Sequence, residues 1–183
     1  ADESANHAFI AADFLSQAEH GVDSQAMLVT ASESIVEPVM QAIREQLDRL
    51  PRKEITEKSL SHSRLIVLKD KQEVIDFTNL YAPEHLIIQT TDYADIAGQV
   101  ENAGSVFMGP YTPESAGDYA SGTNHTLPTN GYAKAYSGVN LDSFIKKITF
   151  QEITADGIRL LGGTIRTMAA NEQLDAHKNA VTI

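Results

Sequence analysis

Apolar positions along this chain follow a helical spacing, then a strand spacing, and the two patterns alternate. Residues 8–20, AFIAADFLSQAEH, have apolar residues at 9, 10, 14 and 15 and run into Gly21, which predicts a helix with a glycine stop and Asn6 as its N-cap. A short buried strand is expected at 27–30. Residues 35–50 read as an amphipathic helix with Ile35, Val39, Ile43 and Leu47 on one stripe, and Pro38 falls in the first turn, where it is tolerated. A second short helix at 52–60 leads to a strand at 64–68, RLIVL. Residues 71–81 carry Val74, Ile75, Phe77 and Leu80 at helical spacing, and Pro83 ends that helix. A strand at 85–89, a helix at 92–100 and a strand at 105–108 follow. This alternation predicts an α/β layered domain built on a parallel sheet, an incomplete Rossmann-like arrangement. Its first strand is missing and would lie before Ala1.

From Tyr111 to Gly131, YTPESAGDYASGTNHTLPTNG, the periodicity disappears. Long unpatterned segments in compact domains are usually functional or disordered. Here Tyr111, Tyr119, Leu127 and Tyr132 offer apolar anchors, which favours an ordered loop. Asp118 and His125 read as its only residues suited to metal or acid/base chemistry. Beyond it, 141–153 mixes a short helix with a strand. Residues 155–172 form a helix with apolar positions at 158, 161, 165 and 168, weakened by Gly162–Gly163 and so dependent on packing. Asp175 is placed to cap a last short helix, 175–183. The chain thus divides into an α/β domain, 1–140, and a helical tail, 141–183.

Composition narrows the function. A length of 183 residues suffices for a sizeable core, and a net charge of −11 argues against nucleic acid or an anionic membrane as partner. No apolar run approaches a membrane span, and no secretory signal stands at the start. Absence of cysteine excludes disulfides and thiolate metal sites; a cytoplasmic enzyme fits this usage. The first residue, which is not Met, and the uncapped AVTI end suggest a fragment or processed piece.

Gln17 and His20 lie three apart and share a helix face near its C-terminus. Alone, His20 is more simply a cation meeting the helix dipole. Glu84 and His85 follow Pro83 directly, and an adjacent carboxylate and imidazole can serve as separate acid/base groups; a solvated pair at a strand start is the commoner arrangement. His7 and His62 belong to the surface. His177 has the same dipole alternative as His20. Glu172 lies five residues before His177, about 140° around a continuous helix, so the two serve one site only if the helix breaks between them. Together Gln17, His20, Asp118 and His177 make an N/O set suited to zinc, with manganese or cobalt as alternatives. There is no H-E-x-x-H, no G-x-G-x-x-G and no phosphate-loop motif. The residues alone therefore give an α/β domain with a candidate metal site.

LSQAEHG (15–21), YAPEHL (81–86), AGSVFMG (103–109), SAGDYASGTNHTLPT (115–129) and LDAHKNAV (174–181), in that order, resemble the histidinol dehydrogenase family over nearly the whole chain. The resemblance implies a zinc enzyme that oxidises L-histidinol to L-histidine through the aldehyde with two NAD, closing histidine biosynthesis. By motif, Gln17, His20 and Asp118 match zinc ligands, and His177 matches a ligand supplied by the neighbouring subunit of a homodimer. Glu84 matches the residue that activates water for the second oxidation, and His85 the general base of both. His125 and Glu172 match substrate-binding positions, and the zinc ligands and His85 also border the substrate. The family is more than twice as long, and this chain is expected to match its C-terminal part, with most NAD-contacting residues elsewhere. Two other classes stay open on the residues: a binding or dimerising module without turnover, and a metal-dependent hydrolase in which Glu84 activates water.

Overall fold

In the computed structural model, which describes residues 1–182, the chain forms two compact units, 1–144 and the stretch from Ile145 onward. The first unit opens with α1 (His7–Glu19), where the Asn6 side chain accepts from Ala8 N–H at 2.9 Å as the pattern predicts. Ile10, Ala11, Phe14, Leu15 and Ala18 are buried, and α1 packs against α2 (Val36–Leu47) and α3 (Lys53–Leu60). Ile35 and Val39 lie in that core with Leu28 from β1 (Met27–Thr30). Burying each such side chain contributes about 1.5–3 kcal/mol, and Leu15→Ala would cost about 2–5 kcal/mol. β1 pairs in parallel with β2 (Arg64–Val67), Met27 opposite Arg64.

The next segment repeats the scheme. Asp70 caps α4 (Lys71–Tyr81) by accepting from Glu73 N–H at 3.0 Å. Ala82 then turns left-handed at φ 55°, and Pro83 prevents any return to the helix before β3 (His85–Ile88). After α5 (Tyr93–Ala97), β4 (Ser105–Met108) pairs in parallel with β3, His85 opposite Ser105. Ile75, Ile88 and Ile96 form the second core cluster.

The α/β class with parallel strands holds. In place of one sheet, the described residues contain two two-stranded sheets, because β1 and β3 both line a cavity of about 1060 Å³ and no ladder joins them. The segment 111–131 is not all loop: Glu114–Tyr119 forms a helix, α6, after the extended Pro113. Of its expected anchors, Tyr111 and Tyr119 are 86% and 85% exposed and Tyr132 is also exposed; Leu127 packs instead against the open faces of Gly104 and Gly138. Small residues in 114–119 hide the helical period, since they leave no apolar stripe to read. In 141–153 there is a 3₁₀ turn at Leu141–Phe144 and no strand.

The second unit holds α7 (Ala155–Asn171), capped by Thr154 accepting from Gly157 N–H at 3.1 Å, and α8 (Asp175–Asn179) packed against it. α7 runs unbroken through Gly162–Gly163. The expected capping by Asp175 is not seen; it lies in the first turn of α8, and Leu174 holds the cap position without a side-chain bond. Ile183, the end of the predicted last helix, lies outside the described residues. No helix among the described residues is long and apolar enough to cross a membrane.

Candidate active site

The site is assembled in the first unit from chain segments far apart in sequence. α1 delivers Gln17 from its last turn and His20 from its C-cap. The turn made by Ala82 and Pro83 brings Glu84 and His85 to the start of β3. α6 contributes Asp118, and the loop after it His125. Gln17, His20, Glu84, His85, Asp118 and His125, with Ser24 and Tyr119, line one pocket of about 340 Å³.

His85 is the best-fixed side chain in it. Its Nδ1 lies 3.2 Å from Gln17 Oε1, which can only accept, so Nδ1 carries the proton and Nε2 presents its lone pair. Nε2 is buried, has no hydrogen-bond partner among the described residues, and stands 3.9 Å from Asp118 Oδ1. Burial lowers the His85 pKa, with Asp118 opposing and His20 adding to that shift. The ring is therefore a neutral base at neutral pH. Glu84, half-buried, is pushed up by desolvation, against the pull of His20.

A residue not singled out from sequence completes the cluster. Glu114, on the first turn of α6, is 1% exposed, and its Oε1 lies 3.1 Å from His20 Nε2 and 3.7 Å from His85 Nδ1. Asp118 and His125 are thus not the only chemistry-bearing side chains of 111–131. The proline before Glu114 signals a helix start, and an acid in a first turn suits the helix dipole; nothing in the sequence marks it as buried. Burial raises its pKa to about 7, opposed by His20. Beneath it, Asp13 accepts from Gln89 Nε2 at 2.9 Å and is pushed up by burial to about 6.

This donor set fits a divalent cation. Ligand atoms of His20, Glu114 and Asp118 all lie within 4.8 Å of one another, and the unpaired His85 Nε2 faces Asp118 beside them. Two carboxylates so close repel, and the positive charge of a cation bound beside them offsets that cost. Imidazole with carboxylate oxygen, and an amide oxygen close by, is the chemistry zinc or a similar first-row ion accepts.

Glu172 and His177 lie in the second unit. Glu172 is the C-cap of α7 and His177 sits in α8, with Gln173 at φ 60° between the two helices, so the helix breaks where their spacing requires.

An α/β chain with a base-ready imidazole, a paired carboxylate and a cation-sized N/O cluster carries the groups that acid/base and metal-assisted chemistry use. The histidinol dehydrogenase family profile matches residues 1–183, and the chain belongs to that family. It is 67% identical over 183 residues to the histidinol dehydrogenase of Bacteroides fragilis strain YCH46, covering all of this chain and 43% of that protein. To the chloroplastic histidinol dehydrogenase of Arabidopsis thaliana it is 56% identical, covering 40% of the relative. The crystal structure of histidinol dehydrogenase from Elizabethkingia anophelis superposes with a TM-score of 0.95 at 55% identity, over all of this chain and 42% of that one. The chain therefore spans less than half the length of these relatives. These shares are lengths only and do not bear out the C-terminal placement expected from the motifs.

Proposed function

We propose that this chain carries the metal-holding and acid/base centre for oxidation of L-histidinol to L-histidine through the aldehyde, with NAD as hydride acceptor. The observation that supports it is the convergence of Gln17, His20, Glu84, His85, Asp118 and His125 on one small pocket. Gln17, His20 and Asp118 would hold zinc, with His177 of a second copy as a further ligand by motif. Glu114 would back the ring of His20 from the buried side, as carboxylates commonly do behind metal-bound imidazoles. Bound there, zinc supplies a Lewis acid that orients the imidazole and amino nitrogens of the substrate and needs no redox change.

The chain's own residues do the proton work. His85, its Nδ1–H held by Gln17, takes the hydroxyl proton of the alcohol at Nε2 as hydride leaves the carbon. Glu84 accepts a proton from the water that adds to the aldehyde, and His85 serves again in the second oxidation. Desolvation raises the Glu84 pKa towards neutral pH, where general bases act best, and lowers that of His85, which keeps its imidazole in the neutral, proton-accepting form. His125, in the same pocket, and Glu172, by motif, would contact substrate. A homodimer with shared sites is part of the reading; what supports it is the exposure of Leu160 and Met168 on α7, an apolar face suited to association. We place the enzyme in the cytoplasm, in keeping with its cysteine-free composition.

Equilibrium dialysis against zinc tests the centre. The chain should hold zinc, histidinol should slow its removal by a chelator, and Asp118→Ala and His20→Ala should each abolish retention. Zinc retention unchanged in both variants would overturn the reading. The 183-residue chain alone should give no steady NADH with histidinol, since it has no phosphate-cradling glycine loop.

A further inference from the structure

β3 and β4 divide their side chains between two faces. The parallel register sets His85 opposite Ser105 and Ile87 opposite Phe107, so these four share one face. Leu86, Ile88 and Val106 take the other and pack with Ile75 and Ile96 in the second core cluster. The first face carries the base, and Phe107 is its bulkiest member. It stands diagonal to His85, a place from which an aromatic ring reaches across a strand pair. The two ring centroids lie 5.9 Å apart, tilted by 45°, and Phe107 is buried.

The same ring meets α6. A Cβ at Gly117 would stand 2.5 Å from Phe107 Cε1 and 2.8 Å from Cζ, so the ring takes the space that any other residue would need for its side chain. Glycine is a poor helix residue, yet α6 has one inside it, directly before Asp118. Its missing Cβ lets the helix close on the ring. One rigid side chain therefore borders both the base on β3 and the helix that carries the facing carboxylate. Gln17 fixes one nitrogen of His85; Phe107 is packed on the ring itself.

We propose that Phe107 is a positioning residue for the proton transfer: its ring, seated in the space left by Gly117, sets the gap between His85 Nε2 and Asp118. That gap is 3.9 Å, longer than a hydrogen bond, and it keeps the Nε2 lone pair free for substrate. The inference deepens the proposed function and rests on its reading of His85 as the base. Close-packed interiors transmit changes of volume. A smaller side chain at 107 lets His85 and α6 settle towards each other, and a methyl at 117 drives the ring into His85. Misplacing a reacting group by about 1 Å can cost about 10²-fold in rate.

The test uses the full-length Bacteroides fragilis relative with the matching substitutions, and turnover is counted per zinc-loaded site. Phe107→Leu should lower kcat about tenfold or more and leave KM for histidinol near that of the parent. A role in stability alone would lower Tm and leave kcat per loaded site unchanged. Gly117→Ala should lower kcat as well. In the double variant Gly117→Ala/Phe107→Leu the smaller side chain accommodates the methyl, so kcat should exceed that of Gly117→Ala, whereas independent effects would multiply. A smaller loss in Phe107→Leu, or a double variant no better than Gly117→Ala, overturns the proposal. Should Gly117→Ala not fold, folding of the double variant is the expected rescue, and its failure to fold counts against the proposal. His85→Asn, measured beside them, separates two failures. If it keeps parental turnover, the reading of His85 falls and the proposal with it; if it loses turnover while Phe107→Leu does not, the positioning alone falls.

Discussion

Glu114 Oε1 lies 3.1 Å from His20 Nε2, and the carboxylate is buried while the imidazole side chain remains 48% exposed. The buried partner fixes the exposed one. A ring free to rotate at the end of α1 gains a single orientation from an acceptor that cannot move.

Glu114→Gln should therefore weaken zinc retention about 10- to 100-fold, the usual effect of losing such a backing carboxylate. Competition with a chelator measures it. With cobalt in place of zinc, the visible spectrum should change as well, because the ring it reports on has turned. Affinity and spectrum both unchanged would show that Glu114 only fills space.

The acids beneath the site set a pH dependence of stability for the metal-free chain. Asp13 rises in the folded state from 3.8 to about 6 because it is desolvated. Its folded value lies above the unfolded one, so the native state binds the proton more tightly. The stability this gives is complete below about pH 4 and is lost as pH rises through 6. Glu114, raised to about 7, extends the loss to neutral pH. Urea midpoints should fall between pH 4 and 7, and Asp13→Asn should flatten the part below 6. An equal fall in the variant would place the dependence elsewhere.

Gly104 holds the base of the site in register. A Cβ there would stand 2.5 Å from Glu84 O, and Gly104 N–H donates to Pro83 O at 2.9 Å. Gly104→Ala must push the backbone of Glu84 and His85 away, at a cost of about 1–3 kcal/mol in line with other overpacked sites. Thermal unfolding should show that loss. Gly21→Ala, where nothing lies within 4 Å, is the matched control and should change Tm little.

The elements that sequence reasoning placed well are those whose burial imposes a period. α4 and the strands β1 and β4 fall on the predicted residues because Ile75, Leu28 and Phe107 must face a core. α6 was invisible for the opposite reason: its burial involves Glu114 and Gly117, a carboxylate and a glycine, and neither contributes to an apolar stripe. The site shows the same division. Gln17, His20, Glu84, His85, Asp118 and His125 could be named because short motifs carry them, whereas Glu114 sits before the motif and declares itself only by its contacts. That His85 Nε2 is left unpaired is likewise a fact of packing, which no spacing rule contains.

The division of labour between Glu84 and His85 gives the sharpest kinetic test. Both sit at the entrance to β3 and border the same pocket, but only His85 is locked by Gln17 with its lone pair facing Asp118. On the proposed mechanism His85 is needed in both oxidations, while Glu84 is needed only where water adds. His85→Asn should lower turnover by about 10²- to 10⁴-fold in each half-reaction, and zinc content should stay near that of the parent, because His85 is not among the proposed ligands. Glu84→Gln should leave alcohol oxidation nearly intact and slow oxidation of the aldehyde by a comparable factor. The half-reactions are measured separately in the full-length Bacteroides fragilis relative carrying the matching substitutions, starting from histidinol and from the aldehyde, and metal content is measured on the chain itself. If Glu84→Gln slowed both oxidations alike, the carboxylate would be positioning substrate and not water. If His85→Asn emptied the metal site, its unpaired Nε2 would be a ligand and the base would have to be sought elsewhere in the pocket.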